Sequence, residues 1–427
     1  MTLDLLIGAL RVVPAYRALR QEQLVRGRVI RVSGLHGSSG AVLTAAFAGD
    51  DPQRVVLVVA PDPASAEGWF SDLTTLVGGE CRLFPQREGL GEEEPHFEIA
   101  GERVETIAAV LAGSVQLVVT TIRATAELTR MPAAVARARL EIGRAGAPSW
   151  GTVVDRLEAM GYERRPSVTD VAQYAVRGGI VDVYGFGMAD PARLEWWGDE
   201  LISIRTFDLD TQRSRAETDA VTILPVRPGP DGAEPGAMSD GGRQTLLDLL
   251  PADTLIVVDA AVDVGEVQRV WSEAQHHLDV ARRRGEDVPG RDALFLAPAA
   301  WEERWHAAAR LELSEEQAEH RFPIGPPPSI ERKIAYLRDL ARRQPTLVLC
   351  DNEGQLERLD ELLAEGADGR GHLTTGATLA LGSLMGGFTL PDLAVLTDHE
   401  IFQRARRLRR ARRYRQALGV AAASTLT

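Results

Sequence analysis

The chain has 427 residues, 44% of them hydrophobic, and a formal net charge of −13 at pH 7. That length holds about two to four domains with enough apolar content for packed cores. No apolar run approaches the ~18 residues of a membrane span, and the acidic balance excludes unspecific nucleic-acid binding by the surface as a whole.

The opening MTLDLLIGALRVV has a short apolar run and no basic leader, so no signal peptide is expected. Residues 1–140 then alternate buried-strand and helix patterns. Val29–Ser33, Val55–Ala60 and Leu117–Thr121 are continuous apolar runs, as parallel strands covered on both faces require, with helices over Ala64–Leu76 and Gly101–Ala112. After the turn cluster Gly143–Ser149, a helix around Thr152–Met160 opens a small α+β domain, residues 141–226. Its centre, Tyr174–Ser214, reads YAVRGGIVDVYGFGMADPARLEWWGDELISIRTFDLDTQRS. Three strand candidates lie in it, Tyr174–Tyr184, Arg193–Trp197 and Glu200–Phe207, the last two joined by a tight reversal at Gly198-Asp199. The Pro/Gly tract Arg227–Gly242 reads as a linker. Residues 227–325 return to α/β character, with a strand at Thr254–Asp259 and helices over Gln268–Arg284 and Trp301–Leu311. Past the proline-rich Phe322–Ser329, residues 326–403 predict a small α/β domain: helix Ile330–Arg343, strand Thr346–Cys350, helix Gly354–Glu365 and strand Leu393–Thr397. Residues 404–427 are an arginine-rich linker or tail. Cys81 and Cys350 lie far apart in strand-like flanks, which predicts buried thiols in a reducing, cytoplasmic setting.

One stretch has the context of a phosphate-binding loop, between a strand and a helix: Gly34-Leu-His-Gly37-Ser38-Ser39-Gly40-Ala41. Such a loop needs a second glycine, a lysine for the phosphates and a hydroxyl for magnesium. Ser39, Gly40 and Ala41 stand in those three places, so the loop is expected to bind neither ATP nor magnesium. The best-placed acidic strand end, Asp259, is followed by Ala260 rather than a glutamate. Asp208-Leu-Asp210-Thr-Gln212 starts like a calcium loop, but Arg213 replaces its glycine and Asp219 its closing glutamate. No zinc spacing, HExxH or nucleophile elbow is present, so neither a metal site nor a catalytic residue is predicted. The basic run Arg404–Arg415, with Arg406, Arg407, Arg409 and Arg410 at its centre, reads either as a solvated segment pairing with the acidic surplus or as a contact with nucleic acid or another domain.

The Tyr174–Ser214 string closely resembles the small second domain shared by the excinuclease protein UvrB and the transcription-repair coupling factor. Both carry an RGG-[IV]-D strand, an R-[LI]-E-[FW]-[FW]-G-D-E hairpin and an R-x-F-D-x-x-T-Q-R-S ending in this order. Leu390–Arg410, with LPDLAVLTDHEIF, resembles the end of the coupling factor's third domain. The resemblance implies a degenerate helicase-like (RecA-type) first domain, 1–140, interrupted by the UvrA-binding-type domain and completed by 227–325. It also implies that Arg164, Arg177, Arg193 and Glu195 contact UvrA, the damage-recognition protein of nucleotide excision repair. A further arginine the family can carry is Ala175 here, which places that contact in question. UvrB has an intact phosphate loop and the coupling factor a degenerate one, so the loop favours the coupling-factor type. The expected function is recruitment of UvrA to stalled transcription without ATPase activity. The rivals are a UvrB-like damage-verifying ATPase and a stand-alone UvrA-binding adaptor. RNA polymerase, DNA, ATP and magnesium would be engaged by other domains of a full-length family member.

Overall fold

The computed structural model describes residues 2–78, 81–90, 97–129, 139–144, 146–186, 188, 190–225, 243–286, 288–316, 318–364 and 377–404. Its largest element is a wholly parallel seven-stranded sheet. In spatial order the strands are His320–Arg321, Val29–Ser33, Ala309–Ser314, Leu255–Val258, Val56–Ala60, Leu117–Thr121 and Cys81–Phe84. Val56–Ala60 and Leu117–Thr121 are buried at every position, as β-branched runs covered on both faces must be. Helix Ser39–Asp50 is buried from Ser39 to Ala48, which explains why it shows no polar face in the sequence.

The strands between Val56–Ala60 and Val29–Ser33 in space come from the far side of the insertion in sequence. One of them corrects the sequence reading. The helix predicted over Trp301–Leu311 ends at Ala307, and Ala309–Ser314 is a strand wedged between Val29–Ser33 and Leu255–Val258. The sequence ARLELS fits either period, and two waiting strand edges decide it.

The insertion enters and leaves through a two-stranded antiparallel neck, Leu140–Gly143 against Ala220–Ile223. Beyond it lies a six-stranded sheet in the order Ser214–Glu217, Glu200–Phe207, Ala192–Trp197, Ile180–Tyr184, Gln173–Arg177, Glu163–Arg164. Here too a prediction is corrected: Tyr174–Tyr184 is not one strand but two, folded into a hairpin at Gly178-Gly179. Gly178 has φ +62°, and a side chain on Gly179 would strike the Trp196 carbonyl oxygen. Helix Trp150–Ala159, capped by Ser149 Oγ accepting from the Thr152 amide at 3.3 Å, presses Val153, Val154 and Leu157 onto one face of this sheet.

After the short helix Ile122–Ala126, the buried Glu127 gathers Arg103 at 2.6 Å, Arg123 at 3.2 Å and Arg87 at 3.5 Å. Burial raises the Glu127 carboxyl, but the three guanidinium groups outweigh it and hold it below the usual carboxylate range. The remaining sheet is a small four-stranded one in the order Ala377–Leu381, Thr346–Cys350, Leu393–Thr397, Phe388–Leu390. Cys81 and Cys350 are free, buried thiols on strands, pushed up by burial to about 12 and about 11.

Candidate partner interface

Antiparallel pairing puts residues that face each other across neighbouring strands on the same side of the sheet. Ala175, Asp182 and Arg193 form one such row, and Arg177, Ile180 and Glu195 the next. This face lies opposite the helix-covered one, so Arg177, Arg193 and Glu195 are brought together on it. At its centre Asp182 is 0% exposed. Its carboxylate accepts from Arg193 Nε at 2.7 Å and Nη2 at 2.9 Å, and from Arg177 Nη2 at 2.5 Å.

The two arginines differ in what they leave outside. The Arg193 side chain is 15% exposed, its guanidinium stacked 4.9 Å from the Phe207 ring. The hydrogen bonds to Asp182 raise its pKa further. Arg177 is 49% exposed, so most of its donor fork is available to a partner. Glu195 faces Arg205 at 3.9 Å, and Arg205 in turn faces Glu217 at 3.8 Å. Two places along the strand from Glu195, Trp197 is 80% exposed. Ile202, the extra residue of the bulge between Leu201 and Ser203, is half-exposed.

Arg164 is not part of this cluster. It is exposed on the edge strand, in register with Tyr174, whose hydroxyl donates to Glu158 of the covering helix at 2.7 Å. Asp182 and Trp197 lie within the quoted motifs but are not among the contact residues expected from the sequence. An aspartate flanked by valines in an otherwise apolar strand was the available signal for the first.

The loop Gly34–Ala41 is filled by the protein itself. Gly34 and Gly37 have φ +71° and +53°, and Ser38 donates its amide to the Gly386 carbonyl at 3.0 Å. In return the Gly386 amide donates to Ser38 Oγ at 3.0 Å. A side chain on Gly37 would strike the Gly386 and Gly387 carbonyls, and one on Gly40 would press on the Trp69 ring and Leu313. The Trp69 indole donates to Asp259 Oδ2 at 2.6 Å, while Asp259 Oδ1 accepts from the Ala261 amide. So the amide at Ser38, which a phosphate would need, and the acidic strand end Asp259 are both engaged internally. Ala41 is buried within the following helix, and Ser39 Oγ accepts from the His36 amide at 2.9 Å.

The calcium-like string forms an Asx turn, with Asp208 Oδ1 accepting from the Thr211 amide at 2.8 Å and the carboxylate paired to Arg215. Arg406, Arg407, Arg409 and Arg410 lie outside the described residues. No helix among the described residues is long and apolar enough to cross a membrane.

The small sheet carrying arginines braced on a buried aspartate lies in the segment that a known family model matches. Residues 144–228 match the family model of the UvrB interaction domain. The chain is similar to the N-terminal part of transcription-repair-coupling factors. It is 31% identical to that of Haemophilus influenzae over 180 residues, 42% of this chain and 16% of the relative. Against the one from Myxococcus xanthus it is 31% identical over 220 residues, 48% and 18%. Against that of Bacillus subtilis it is 28% identical over 204 residues, 46% and 17%. The matched part thus spans less than a fifth of these relatives' length.

Proposed function

We propose that this chain serves transcription-coupled repair by recruiting UvrA through the Arg177–Glu195 face, without hydrolysing ATP. The observation that carries the reading is the match to a UvrB interaction domain over the segment whose exposed face presents Arg177 and Glu195 around buried Asp182. Guanidinium forks suit bidentate pairing with carboxylates of a partner. The large sheet then acts as a degenerate helicase-like scaffold: its phosphate loop is occupied by Gly386, and its acidic strand end by Trp69. The test is surface plasmon resonance of the purified chain against UvrA. Saturable binding that Arg177→Ala weakens by about 30-fold or more supports the reading. Absence of any binding by the wild type would point to a different partner.

A further inference from the structure

The small four-stranded sheet reverses its winding between Thr346–Cys350 and Leu393–Thr397. From the first strand the chain moves out to Ala377–Leu381 on one side, then returns to place Leu393–Thr397 on the other. In open parallel sheets the crevice beyond the C-terminal ends of two such neighbours is where ligands settle. Here that crevice holds Asp351, the residue after Cys350, together with Asp398 and His399, the two after Thr397.

One ligand atom from each of these side chains lies within 4.8 Å of the others. His399 Nε2 is 2.7 Å from Asp351 Oδ2 and 3.7 Å from Asp398 Oδ1. A second observation is independent of this clustering. Asp398 is 1% exposed, and its Oδ1 has no hydrogen-bond partner among the described residues. The other oxygen is taken by Arg404 Nη2 at 2.8 Å. Among the described residues neither ring nitrogen of His399 has a hydrogen bond of acceptable geometry, so its approach to Asp351 is a close ion-pair distance without alignment. Buried polar atoms are almost always satisfied, and Asp398 Oδ1 and His399 Nε2 lie 3.7 Å apart in this crevice.

We propose that Asp351, Asp398 and His399 bind a first-row divalent cation of the zinc class. An imidazole with two carboxylate oxygens favours zinc, manganese or cobalt over magnesium or calcium. Three protein ligands leave the fourth tetrahedral position to water or an incoming group. Metal–ligand bonds of about 2.0–2.2 Å put tetrahedral neighbours about 3.3 Å apart. The close His399–Asp351 pair therefore opens slightly and the longer His399–Asp398 pair closes. Asp351 is exposed and free to adjust, and Arg404 keeps its hold on the other Asp398 oxygen. The ion ties the ends of two strands together, and by binding only the folded state it raises stability.

The experiment strips the intact chain with EDTA and titrates it with zinc chloride by calorimetry. In parallel, cobalt chloride is followed by visible absorption, and melting is recorded with and without zinc. One bound equivalent, a tetrahedral-type cobalt spectrum and a zinc-dependent rise in Tm are expected. Asp351→Asn and His399→Gln should each weaken uptake by more than the about tenfold carried by an outer-shell partner, with the metal-free melt unchanged. No saturable uptake up to about 1 mM zinc, or uptake retained in full by both folded variants, would overturn the proposal.

Discussion

Asp182 and Arg193 face each other across neighbouring strands, and the guanidinium closes on the carboxylate through two nitrogens at 2.7 and 2.9 Å. Because the carboxylate is wholly buried, this pair is part of the sheet's construction as well as its exposed chemistry. Removing one partner of a buried pair costs about 3–5 kcal/mol, since the other is stranded. Asp182→Ala should therefore lower unfolding free energy by about 3 kcal/mol in urea titrations. A variant as stable as the wild type would show that the arginines do not depend on this anchor.

Arg177 shares the anchor but is half outside it, so its removal leaves Asp182 paired with Arg193. Arg177→Ala should melt within about 1 kcal/mol of the wild type, as exposed pairs do, while losing affinity for UvrA. Arg193→Ala should lose both stability and affinity. Arg358→Ala, on an exposed helix elsewhere, should change neither. Equal melts for the Arg177 and Arg193 variants would contradict the difference in burial.

Trp197 is the large apolar side chain that the proposed face leaves in water. Tryptophans that anchor interfaces typically contribute about 2 kcal/mol or more, roughly a 30-fold change in affinity. Trp197→Ala should weaken UvrA binding on that scale, read by surface plasmon resonance, with little change in Tm. Unchanged affinity would move the contact away from this end of the strand.

At the loop remnant, Gly37→Ala would both strain a backbone at φ +53° and drive a methyl group into the Gly386 and Gly387 carbonyls. A loss of at least about 1 kcal/mol is expected in calorimetric melts. Mg-ATP titrated into the wild type to millimolar concentration should give no saturable heat. A micromolar binding isotherm would reinstate the loop as a nucleotide site.

Glu127 sets a pH dependence whose sign follows from its surroundings. Its carboxyl, 4.5 when unperturbed, lies lower in the folded protein because Arg87, Arg103 and Arg123 outweigh burial. The stability it contributes is complete above the unfolded value and is lost as pH falls through the folded one. Glu127→Gln should cost about 3–5 kcal/mol at neutral pH. The gap from wild type should narrow below pH 4.5. Urea unfolding at neutral and acid pH measures it, and a gap independent of pH would exclude the carboxylate as its source.

Local pattern made much of the architecture legible. The buried strands show as continuous apolar runs, and the three departures from a phosphate-loop pattern can be named from Ser39, Gly40 and Ala41. What escaped was decided at long range. Ser38 meets Gly386, and Trp69 meets Asp259, across separations no periodicity encodes. The strand Ala309–Ser314 was hidden because ARLELS suits a helix until two strands flank it. The RGG-[IV]-D motif contains Asp182 but does not show that the register brings two arginines to its carboxylate.

The neck formed by Leu140–Gly143 and Ala220–Ile223 has a consequence for how the chain acquires its shape during synthesis. All six strands beyond it come from a contiguous segment, residues 163–217, so their contacts close over short loops. The seven-stranded sheet, by contrast, draws Leu255–Val258 and Ala309–Ser314 into its middle from beyond that segment. A ribosome releases the insertion whole while its host is still two central strands short. The inserted sheet is therefore positioned to mature first, and the host to assemble around the two chain ends that it already holds side by side.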